Sequence, residues 1–588
     1  MIHEAISNSS NAWHLYPSVG RTQIYDLSKK VYKVSREFVL SSLQTYFTHL
    51  TMKISVVIPA AGSIANKFTS LRPQFTSAAL FPVNSKSLLS YSLDFYCKLP
   101  DAEVTVIVNS KDQEVLKNEL PLYNFKLVTV DNTKSIIETL QVFLQKSIEL
   151  NDDIILNVVT TIPSELPPRN SIVLSDRQEF CHFYSAVAEI ENGKPKFFHR
   201  GSGADYFGYP FTGIIRTNLR SLKSALPKCT SNDLLEVAEH IFNDGDLSFK
   251  KTEWIDCGHE VNYTEAKAKL LSSRSFNSLS VEMISGILEK KSTNIKKFID
   301  ETKYVDMLPP DLKIFFPRVI EALKTNKTHA SIKMDYFSYP NIAELQLYRN
   351  LEEVQWHRIF DAFEFVLKKF TANKGSISKR DFTNFYLGKT LNRETENEKW
   401  IKDNQLQFLL NDDLVINDQS CSSFKTLLPK TEKAIENLFN KNDFSVMHGD
   451  FCFNNILYDS YSGTIRLIDP RGSFGETLPG IYGDIKYDLA KLLHSSVYSY
   501  DYIVNDLSHF EVSGNQVHYS FNLRPNHELL RSLSSELVKK LGFDPGQIDI
   551  LVALLFISMC PLHSDSLRRQ KLMYAHGLYL LNKSLKNN

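Results

Sequence analysis

Short β-branched runs alternate with helical patterns in the N-terminal half of the chain, and this alternation constrains the fold more than any other feature. Lys53–Pro59 is a run of the kind found in buried parallel strands. Similar runs follow at Val104–Val108 and Ile154–Val159, with helical patterns at Leu88–Tyr96 and Ser135–Glu149. Such alternation predicts an α/β domain with an open, mostly parallel sheet and helices on its faces.

The length of the chain predicts more than one domain. Its 588 residues are too many for a single hydrophobic core, and two or three domains are expected. The patterns predict an extension of unknown role at residues 1–51, the α/β domain at 52–277 and a further domain at 278–588. The extension has helical patterning from Thr22 to Leu50. It is interpreted either as a docking helix or as an addition from an upstream start codon.

Composition and charge exclude several function classes. The 67 basic and 67 acidic side chains balance, which argues against nucleic acid as a partner. The seven cysteines are scattered and never form CxxC, which argues against disulfides and zinc and favours a reducing cytoplasm. The apolar run Ile550–Cys560 is shorter than a membrane span, and the N-terminus lacks a signal-peptide pattern. We expect a cytoplasmic protein with no transmembrane segment.

A different pattern begins near residue 278. Val281–Leu288 reads as a strand pair and precedes a helix that carries Glu301, and Ile332–Tyr336 reads as another strand. Long helices are then predicted at Ile342–Phe370 and Lys430–Asn440. Strands followed by helices predict an α+β domain here.

The segment Phe444–Tyr458 is the most informative part of the chain. It contains His-Gly-Asp, then Asn455, and fourteen residues later Asp469 ends an apolar run. Phosphoryl transfer needs a positioned acceptor hydroxyl and metal ions that neutralise the phosphates. Asp450 would orient the hydroxyl and accept its proton. Asn455 and Asp469 would hold Mg²⁺, which prefers oxygen ligands.

This pattern resembles the signature of the aminoglycoside phosphotransferase and choline kinase superfamily. The matching positions are His448, Gly449, Asp450, Asn455 and Asp469. The downstream segment Gly483–Ala490 is similar to the family segment that opens a helix below the site. The resemblance implies a two-lobed, protein-kinase-like fold, with a small lobe at about 278–340 and a large lobe at about 341–588. It also implies ATP and Mg²⁺ as cofactors and assigns catalytic positions to Asp450 and His448.

The same resemblance implies a set of nucleotide-binding residues. A kinase pairs a lysine on the small-lobe sheet with a helix glutamate, and Lys291 and Glu301 are the best candidates. Lys290 alternates with Lys291 on the same strand, so one of the two must point away. Two further candidates, Met334 and Tyr336, fall where the adenine-binding hinge is expected. Arg471, where the family varies, is a candidate for contact with phosphate or substrate.

The N-terminal half resembles the sugar-phosphate nucleotidyltransferases. Val56–Gly62, Ala79–Val83 and Lys86–Leu89 resemble the opening of those enzymes, and Trp254–His259 resembles their later metal-site strand. Several functional positions differ. Ser63–Lys67 replaces the glycine and arginine that wrap the triphosphate, although Lys67 is a partial substitute for the arginine.

Other departures affect the catalytic cation and the metal. Ala78 replaces the catalytic lysine, and Thr160 and Thr161 replace the first metal aspartate. Only Asp256 matches a metal ligand. Because these cations and metals stabilise the transferring group, we expect a degenerate domain that is inactive or reduced to binding.

The order of the two halves resembles bacterial capsule-biosynthesis proteins that fuse both folds, with Arg274–Asn277 at the junction and Met334–Pro340 downstream. The leading hypothesis is an ATP-dependent O-phosphotransferase that acts on a sugar, polyol or amino alcohol for capsular or surface polysaccharide. Its partners would be a nucleotide, the acceptor and polysaccharide-assembly enzymes. A working nucleotidyltransferase and a non-catalytic nucleotide-binding scaffold are the alternatives.

Overall fold

The computed structural model describes residues 53–62, 72, 75, 77–146, 148–181, 185–188, 195–199, 206–245, 247–271, 277–325, 328–475 and 478–587. The predicted extension at 1–51, the segment Ser63–Lys67 and most of the junction Arg274–Asn277 lie outside these residues.

A ten-stranded mixed sheet forms the centre of the N-terminal half. Its strands and the smaller pairs beside it are β1 Ile54–Pro59, β2 Pro82–Val83, β3 Lys86–Ser87, β4 Ala102–Val108, β5 Lys126–Thr129, β6 Asp153–Asn157, β7 Thr161–Ile162, β8 Ser171–Ser175, β9 Glu179–Cys181, β10 Ala186–Ala188, β11 Lys196–Phe198, β12 Tyr206–Asn218, β13 Ser248–Thr252 and β14 Ile255–Asp256. The helices are α1 Leu88–Tyr96, α2 Gln113–Glu119, α3 Ile136–Gln145, α4 Leu219–Ala225, α5 Leu234–Asn243 and α6 Glu260–Lys269.

The predicted parallel strands are present. They lie in the order β6-β1-β4-β5, and each neighbouring pair is parallel. Alternate residues of β1 face opposite layers: Val56 and Ile58 join one apolar core, whereas Val57 joins the other. A strand buried on both faces reads as a continuous apolar run, which explains why the sequence identified it. The long strand β12 pairs antiparallel with β6 and was not predicted, so the sheet is mixed.

The C-terminal half begins with a four-stranded antiparallel sheet in the order β15-β16-β18-β17. The strands of this half are β15 Asn277–Glu282, β16 Ile287–Ser292, β17 Val319–Thr325, β18 Ala330–Asp335, β19 Leu414–Ile416, β20 Gln419–Cys421, β21 Phe444–Val446, β22 Ile456–Asp459, β23 Thr464–Leu467, β24 Ser473–Phe474, β25 Leu478–Pro479, β26 Tyr482–Asp484, β27 Ser508–Ser513 and β28 Gln516–Phe521. The strand pair predicted at Val281–Leu288 is the β15–β16 hairpin.

Helices make up most of the remaining C-terminal half. They are α7 Ile295–Met307, α8 Pro310–Lys313, α9 Ile342–Tyr348, α10 Glu353–Ala372, α11 Lys379–Thr383, α12 Lys389–Asp403, α13 Phe424–Asn437, α14 Ile485–Ser496, α15 Tyr500–Val504, α16 His527–Lys540, α17 Pro545–Met559 and α18 Leu567–Asn587.

The long helix predicted at Ile342–Phe370 is two helices. The chain is extended at Arg349, and Glu352 begins α10 with a capping box to Gln355. Such reciprocal capping hydrogen bonds satisfy backbone groups at a helix start and favour a new helix there. The helix predicted at Lys430–Asn440 is the C-terminal part of α13, whose interior contains Pro429.

The two halves of the chain share one apolar core. Leu347, Tyr348, Tyr502 and Leu507 from the C-terminal half pack in the same cluster as β1 and α1. Among the described residues, one helix, Pro545–His563, is long and apolar enough to cross a membrane, and 67% of it is buried in the protein. It packs against α14 and α18 as a core helix.

Candidate functional site

Lys290 on β16 is the basic residue that meets α7. Its ammonium contacts the Glu301 carboxylate and lies 2.9 Å from Asp469 Oδ1, and the side chain is only 3% exposed. Lys291 faces the other way, is 46% exposed and pairs with Glu289 at 3.2 Å. The choice of Lys291 as the partner of Glu301 was therefore wrong. Side chains alternate along the strand, and α7 packs on the face of the sheet that carries Lys290, so Lys291 points to the other face.

Charge pairing keeps this buried group ionised. Burial opposes the charge on Lys290, but Asp469 and Glu301 outweigh it and hold the pKa of Lys290 above its usual value. Partial removal from water opposes ionisation of Asp469, yet the Lys290 ammonium keeps the pKa of that carboxyl below its usual value. A cation is thus fixed beside a carboxylate whose side chain remains 54% exposed.

The loop that carries Asp450 is held by helix α14. The Asp488 carboxylate accepts hydrogen bonds from the backbone N–H groups of His448, at 2.6 Å, and Gly449, at 2.7 Å. Gly449 has a φ of +79°, and a Cβ atom there would lie 2.5 Å from Arg471 Cβ. Glycine is required at this turn because a side chain would be strained and would clash.

His448 is a buried structural residue of the same loop. Its ring is fully buried and stacks on Phe316 with the ring centroids 5.8 Å apart. Its Nδ1 accepts the backbone N–H of Asp450 at 3.2 Å. Burial lowers the pKa of His448 to about 4, so the imidazole is neutral. The arrangement suits a residue that positions Asp450.

The β22–β23 hairpin brings Asn455 and Asp469 to one end. Ile456 pairs with Leu467, and the Ile468 N–H donates to the Asn455 carbonyl at 3.0 Å. Asn455 Nδ2 donates to the Asp450 carbonyl at 3.0 Å. That bond turns the amide so that its oxygen, the atom a cation would need, takes part in no hydrogen bond within the described residues.

A cavity of about 330 Å³ opens between the four-stranded sheet and this hairpin. Six of the predicted or observed site residues line it together: Lys290, Glu301, Met334, Tyr336, Asn455 and Asp469. Apolar side chains, including Leu288 and Ile332, cover the wall on the sheet side. Asp450, His448 and Arg471 are not among the lining residues. The lining also includes Asn84 and Lys267 from the N-terminal half.

Sequence reasoning missed three residues beside Asp450. Lys491 Nζ lies 2.9 Å from Asp450 Oδ1. One helical turn earlier on α14, the Tyr487 hydroxyl accepts hydrogen bonds from Lys389 Nζ at 3.1 Å and Arg471 Nη1 at 3.2 Å. The i, i+4 spacing of Tyr487 and Lys491 after the Gly-Asp motif was a usable signal. The sequence around Lys389 did not indicate that this residue lies in the site.

Asp256, the single metal-ligand match in the N-terminal half, already has three partners. Its Oδ1 accepts the Gly258 N–H at 2.8 Å, and its Oδ2 contacts His259 Nδ1 at 2.6 Å and Asn262 Nδ2 at 2.9 Å. The carboxylate is buried and organises the start of α6. Thr161 is likewise engaged, because its hydroxyl donates to the Thr212 carbonyl at 2.5 Å.

A metal site made wholly of protein side chains is absent from the part of the chain that the structure describes: no group of three or more His, Cys, Asp or Glu residues could hold an ion there. Mg²⁺ commonly takes only one or two protein ligands and completes its shell with waters and substrate phosphates. Asn455 and Asp469 fit that mode of binding.

Comparison with known proteins gives no family assignment. No family model matches the chain, and no curated protein matches it. Similar solved structures exist for 36–37% of its length, in the N-terminal part. A nucleoside-diphosphate-sugar pyrophosphorylase from Vibrio cholerae RC9 is 17% identical, with 99% of that chain covered and a TM-score of 0.30.

Two further solved structures show the same level of similarity. A putative glucose-1-phosphate thymidylyltransferase from Bacillus anthracis is 18% identical, with 37% of this chain and 97% of that chain covered and a TM-score of 0.29. A CTP:phosphocholine cytidylyltransferase from Streptococcus pneumoniae is 16% identical, with 37% and 100% covered and a TM-score of 0.30. All three TM-scores lie at or below 0.30.

Proposed function

We propose that the C-terminal half is an ATP-dependent O-phosphotransferase with a protein-kinase-like fold that acts on a hydroxyl group of a small molecule. The contact of Lys290 with both Glu301 and Asp469, at the wall of a cavity of about 330 Å³, carries the proposal. Kinases use such a lysine–glutamate pair to hold the nucleotide phosphates, with an aspartate nearby for the metal.

The cavity has the chemistry that a nucleotide requires. Its apolar wall of Leu288, Ile332 and Met334 suits a planar base, since small-molecule sites combine apolar walls with a few polar anchors. Tyr336 lines the same cavity, and its backbone N–H is already bound to the Gly286 carbonyl at 2.8 Å. Lys290, which lines the same cavity, would contact the α- and β-phosphates of ATP.

Asn455 and Asp469 would hold the Mg²⁺ ion. Both side chains line the cavity. The Asn455 amide nitrogen is bonded to the Asp450 carbonyl, which leaves the amide oxygen available, and Asp469 stays ionised beside Lys290. Bound Mg²⁺ would supply neutralisation of the charge on the phosphate oxygens.

Asp450 would take the proton during transfer. The acceptor oxygen forms a bond to the γ-phosphorus, the bond from that phosphorus to the β,γ-bridging oxygen breaks, and ADP leaves. The hydroxyl proton passes to Asp450 and then to solvent. Lys491, at 2.9 Å from Asp450 Oδ1, fixes the carboxylate for that role, and His448 acts as a positioning residue.

A nucleotidyltransferase activity of the N-terminal half is the second candidate. A polar cavity beside Asp256, also lined by Arg177, Trp254 and Lys269, favours it. That cavity measures only about 30 Å³, and the Asp256 carboxylate already has three hydrogen-bond partners. A nucleotide would therefore require rearrangement there. Pyrophosphate release from a nucleoside triphosphate and a sugar phosphate, lost in Asp256→Ala, would support this candidate. A role in capsular or surface polysaccharide assembly stays a prediction of the sequence.

Neighbouring lysines on one strand provide the test. Mg-ATP affinity is measured by calorimetry on the full chain with Lys290→Met and with Lys291→Met as the matched control. We expect at least a tenfold weaker affinity for Lys290→Met and an unchanged value for Lys291→Met. ADP release with a panel of sugars and alcohols should be abolished by Asp450→Asn. Equal Mg-ATP affinities of Lys290→Met and the unmodified protein would refute the proposal. Nucleotide binding without turnover would favour the scaffold alternative.

A further inference from the structure

Three basic residues and a tyrosine near the Asp450 loop have no role in the phosphate-binding part of the proposed site. We call Lys389, Arg471, Tyr487 and Lys491 the cationic cluster. Lys389 and Arg471 both donate to the Tyr487 hydroxyl, at 3.1 and 3.2 Å. Two positive groups therefore converge on one phenol oxygen, one helical turn from the lysine that contacts Asp450.

Aromatic rings hold these two cations together. Lys389 Nζ lies 5.7 Å from the centroid of the Phe385 ring and 5.3 Å from that of Tyr487. The Arg471 guanidinium carbon lies 5.2 and 5.8 Å from the same two centroids. Cation–π contacts attract each group to the rings, but they do not cancel the repulsion between the two charges.

Carboxylates do not balance this part of the cluster. Within the described residues, neither Lys389 nor Arg471 lies within 4.0 Å of a carboxylate oxygen, whereas Lys491 pairs with Asp450. Burial lowers the pKa of Lys389 to about 8. Burial alone would raise the pKa of Tyr487, but the positive charges of Lys389, Lys491 and Arg471 outweigh it and lower that pKa to about 8. The electrostatics therefore favour arrival of a negative charge.

We propose that the phosphoryl acceptor carries an anionic group, a carboxylate or a phosphate, which binds between Lys389 and Arg471. This inference rests on the proposed function and specifies its substrate class. Lys389, Arg471 and Asp450 are all partly exposed, so each is accessible to a small molecule. Its hydroxyl lies at Asp450 and its anionic group at the two cations. Guanidinium groups bind carboxylates and phosphates through paired hydrogen bonds.

The cluster narrows the acceptor classes expected from the sequence. A cationic amino alcohol would meet Lys389, Arg471 and Lys491, and only Asp450 would attract it. A neutral sugar or polyol would leave the two converging cations uncompensated. Hydroxy acids and phosphorylated sugars or polyols fit the charge pattern. The reaction with them is unchanged: ATP and the hydroxyl compound give ADP, a phosphate ester and one proton.

Matched acceptors test the charge requirement. ADP release from Mg-ATP is measured on the full chain with glycerol, D-glycerate, glycerol 3-phosphate and ethanolamine, and with glucose, gluconate and glucose 6-phosphate. We expect kcat/KM at least tenfold higher for an anionic member than for its neutral counterpart. The carboxylate and phosphate members show which anion the site takes. Equal or better turnover of the neutral or cationic members would overturn the inference while leaving the phosphotransferase proposal intact.

Substitution of the two cations tests whether the anionic group binds between them. Arg471→Gln and Lys389→Gln should each raise the KM of the anionic acceptor at least tenfold, change kcat little and leave the Mg-ATP affinity unchanged. Lys379→Gln removes a charge from an exposed side chain that lies 4.0 Å from Glu436 and should change neither KM nor kcat. Circular dichroism is used to check that each variant is folded. Because Arg471→Gln and Lys389→Gln are independent tests, the inference can still be tested if one of them does not fold.

A binding measurement tests the same inference if none of the acceptors in the panel is phosphorylated. Inorganic phosphate is titrated into the protein saturated with Mg²⁺ and a non-hydrolysable ATP analogue, and the melting temperature is recorded. We expect phosphate to raise the melting temperature, and Arg471→Gln to reduce that effect at least fivefold. Gluconate is titrated in the same way to test a carboxylate. No effect of either anion, or the same effect in the unmodified protein and in Arg471→Gln, would overturn the inference. A protein that does not bind the ATP analogue at all would instead refute the phosphotransferase proposal.

Discussion

Neutralising Glu119 should destabilise the contact between the two halves of the chain. Its carboxylate receives two hydrogen bonds from the Arg524 guanidinium, at 2.7 and 2.8 Å, and one from Asn522 at 2.8 Å. Arg524 and Glu119 are 4% and 8% exposed. Nearby Arg72 is also buried. Its burial and the charge of Arg524 lower its pKa to about 10. Glu119 therefore provides the negative charge for two buried arginines.

The expected cost follows from what Glu119→Gln leaves behind. The amide keeps the shape of the side chain but loses the charge, so Arg524 stays buried without a counter-ion. Removing one partner of a buried ion pair costs about 3–5 kcal/mol. We expect a loss of that size in the free energy of unfolding. Replacing both partners, as in Glu119→Gln with Arg524→Met, should cost less than the sum of the two single changes because no unpaired charge remains.

Urea unfolding followed by far-UV circular dichroism measures this change. Glu103→Gln is the matched control, since Glu103 pairs with Lys53 at 3.0 Å on the surface, where the two side chains are 36% and 64% exposed. Exposed pairs contribute about 0–1 kcal/mol. Equal shifts for Glu119→Gln and Glu103→Gln would refute the reasoning that burial makes this pair important.

Two further predictions concern the site. Gly472→Ala should lower the Mg-ATP affinity measured by calorimetry at least tenfold, because its Cβ would lie 2.2 Å from the Asp300 carbonyl oxygen and displace the helix of Glu301. Gly463→Ala has the same φ of +69° with open space around it, so it should leave the affinity unchanged, and equal effects would contradict the argument. Acceptor kcat/KM should fall as the pH rises above about 8, because proton loss from Lys389 or Tyr487 lowers the net charge of the coupled cluster by one and weakens its attraction for an anion. A profile flat to pH 9.5, or a fall equally steep in Lys389→Gln, would contradict it.

Local spacing predicted the elements that depend on local contacts. The β22–β23 hairpin places Asn455 and Asp469 together because a short turn joins two paired strands, and the sequence motif had already indicated that these two residues act together. The sequence did not show whether Lys290 or Lys291 contacts Glu301. Alternation allows either lysine to face α7, and only the packing of α7 on the sheet decides between them. The start of α13 was missed because proline disfavours helix interiors, although Pro429 lies inside this one.

Contacts between distant parts of the chain were beyond sequence reasoning. Glu119 and Arg524 are separated by 405 positions, and neither lies in a recognisable motif. Lys389 is a lysine on a polar helix, a pattern usually typical of a solvated surface. Its position over Phe385 and Tyr487 depends on how three separate elements pack. The cationic cluster could therefore be found only in three dimensions.

The apolar cluster common to both halves affects how this protein can be divided. A polypeptide that began at residue 278 would expose Leu347, Tyr348, Tyr502 and Leu507, which are at most 4% exposed in the intact chain. Large contiguous apolar patches on a soluble surface promote self-association. An isolated C-terminal fragment should therefore aggregate unless these four side chains are replaced by polar ones, and biochemical work on the C-terminal half should use the uncut polypeptide.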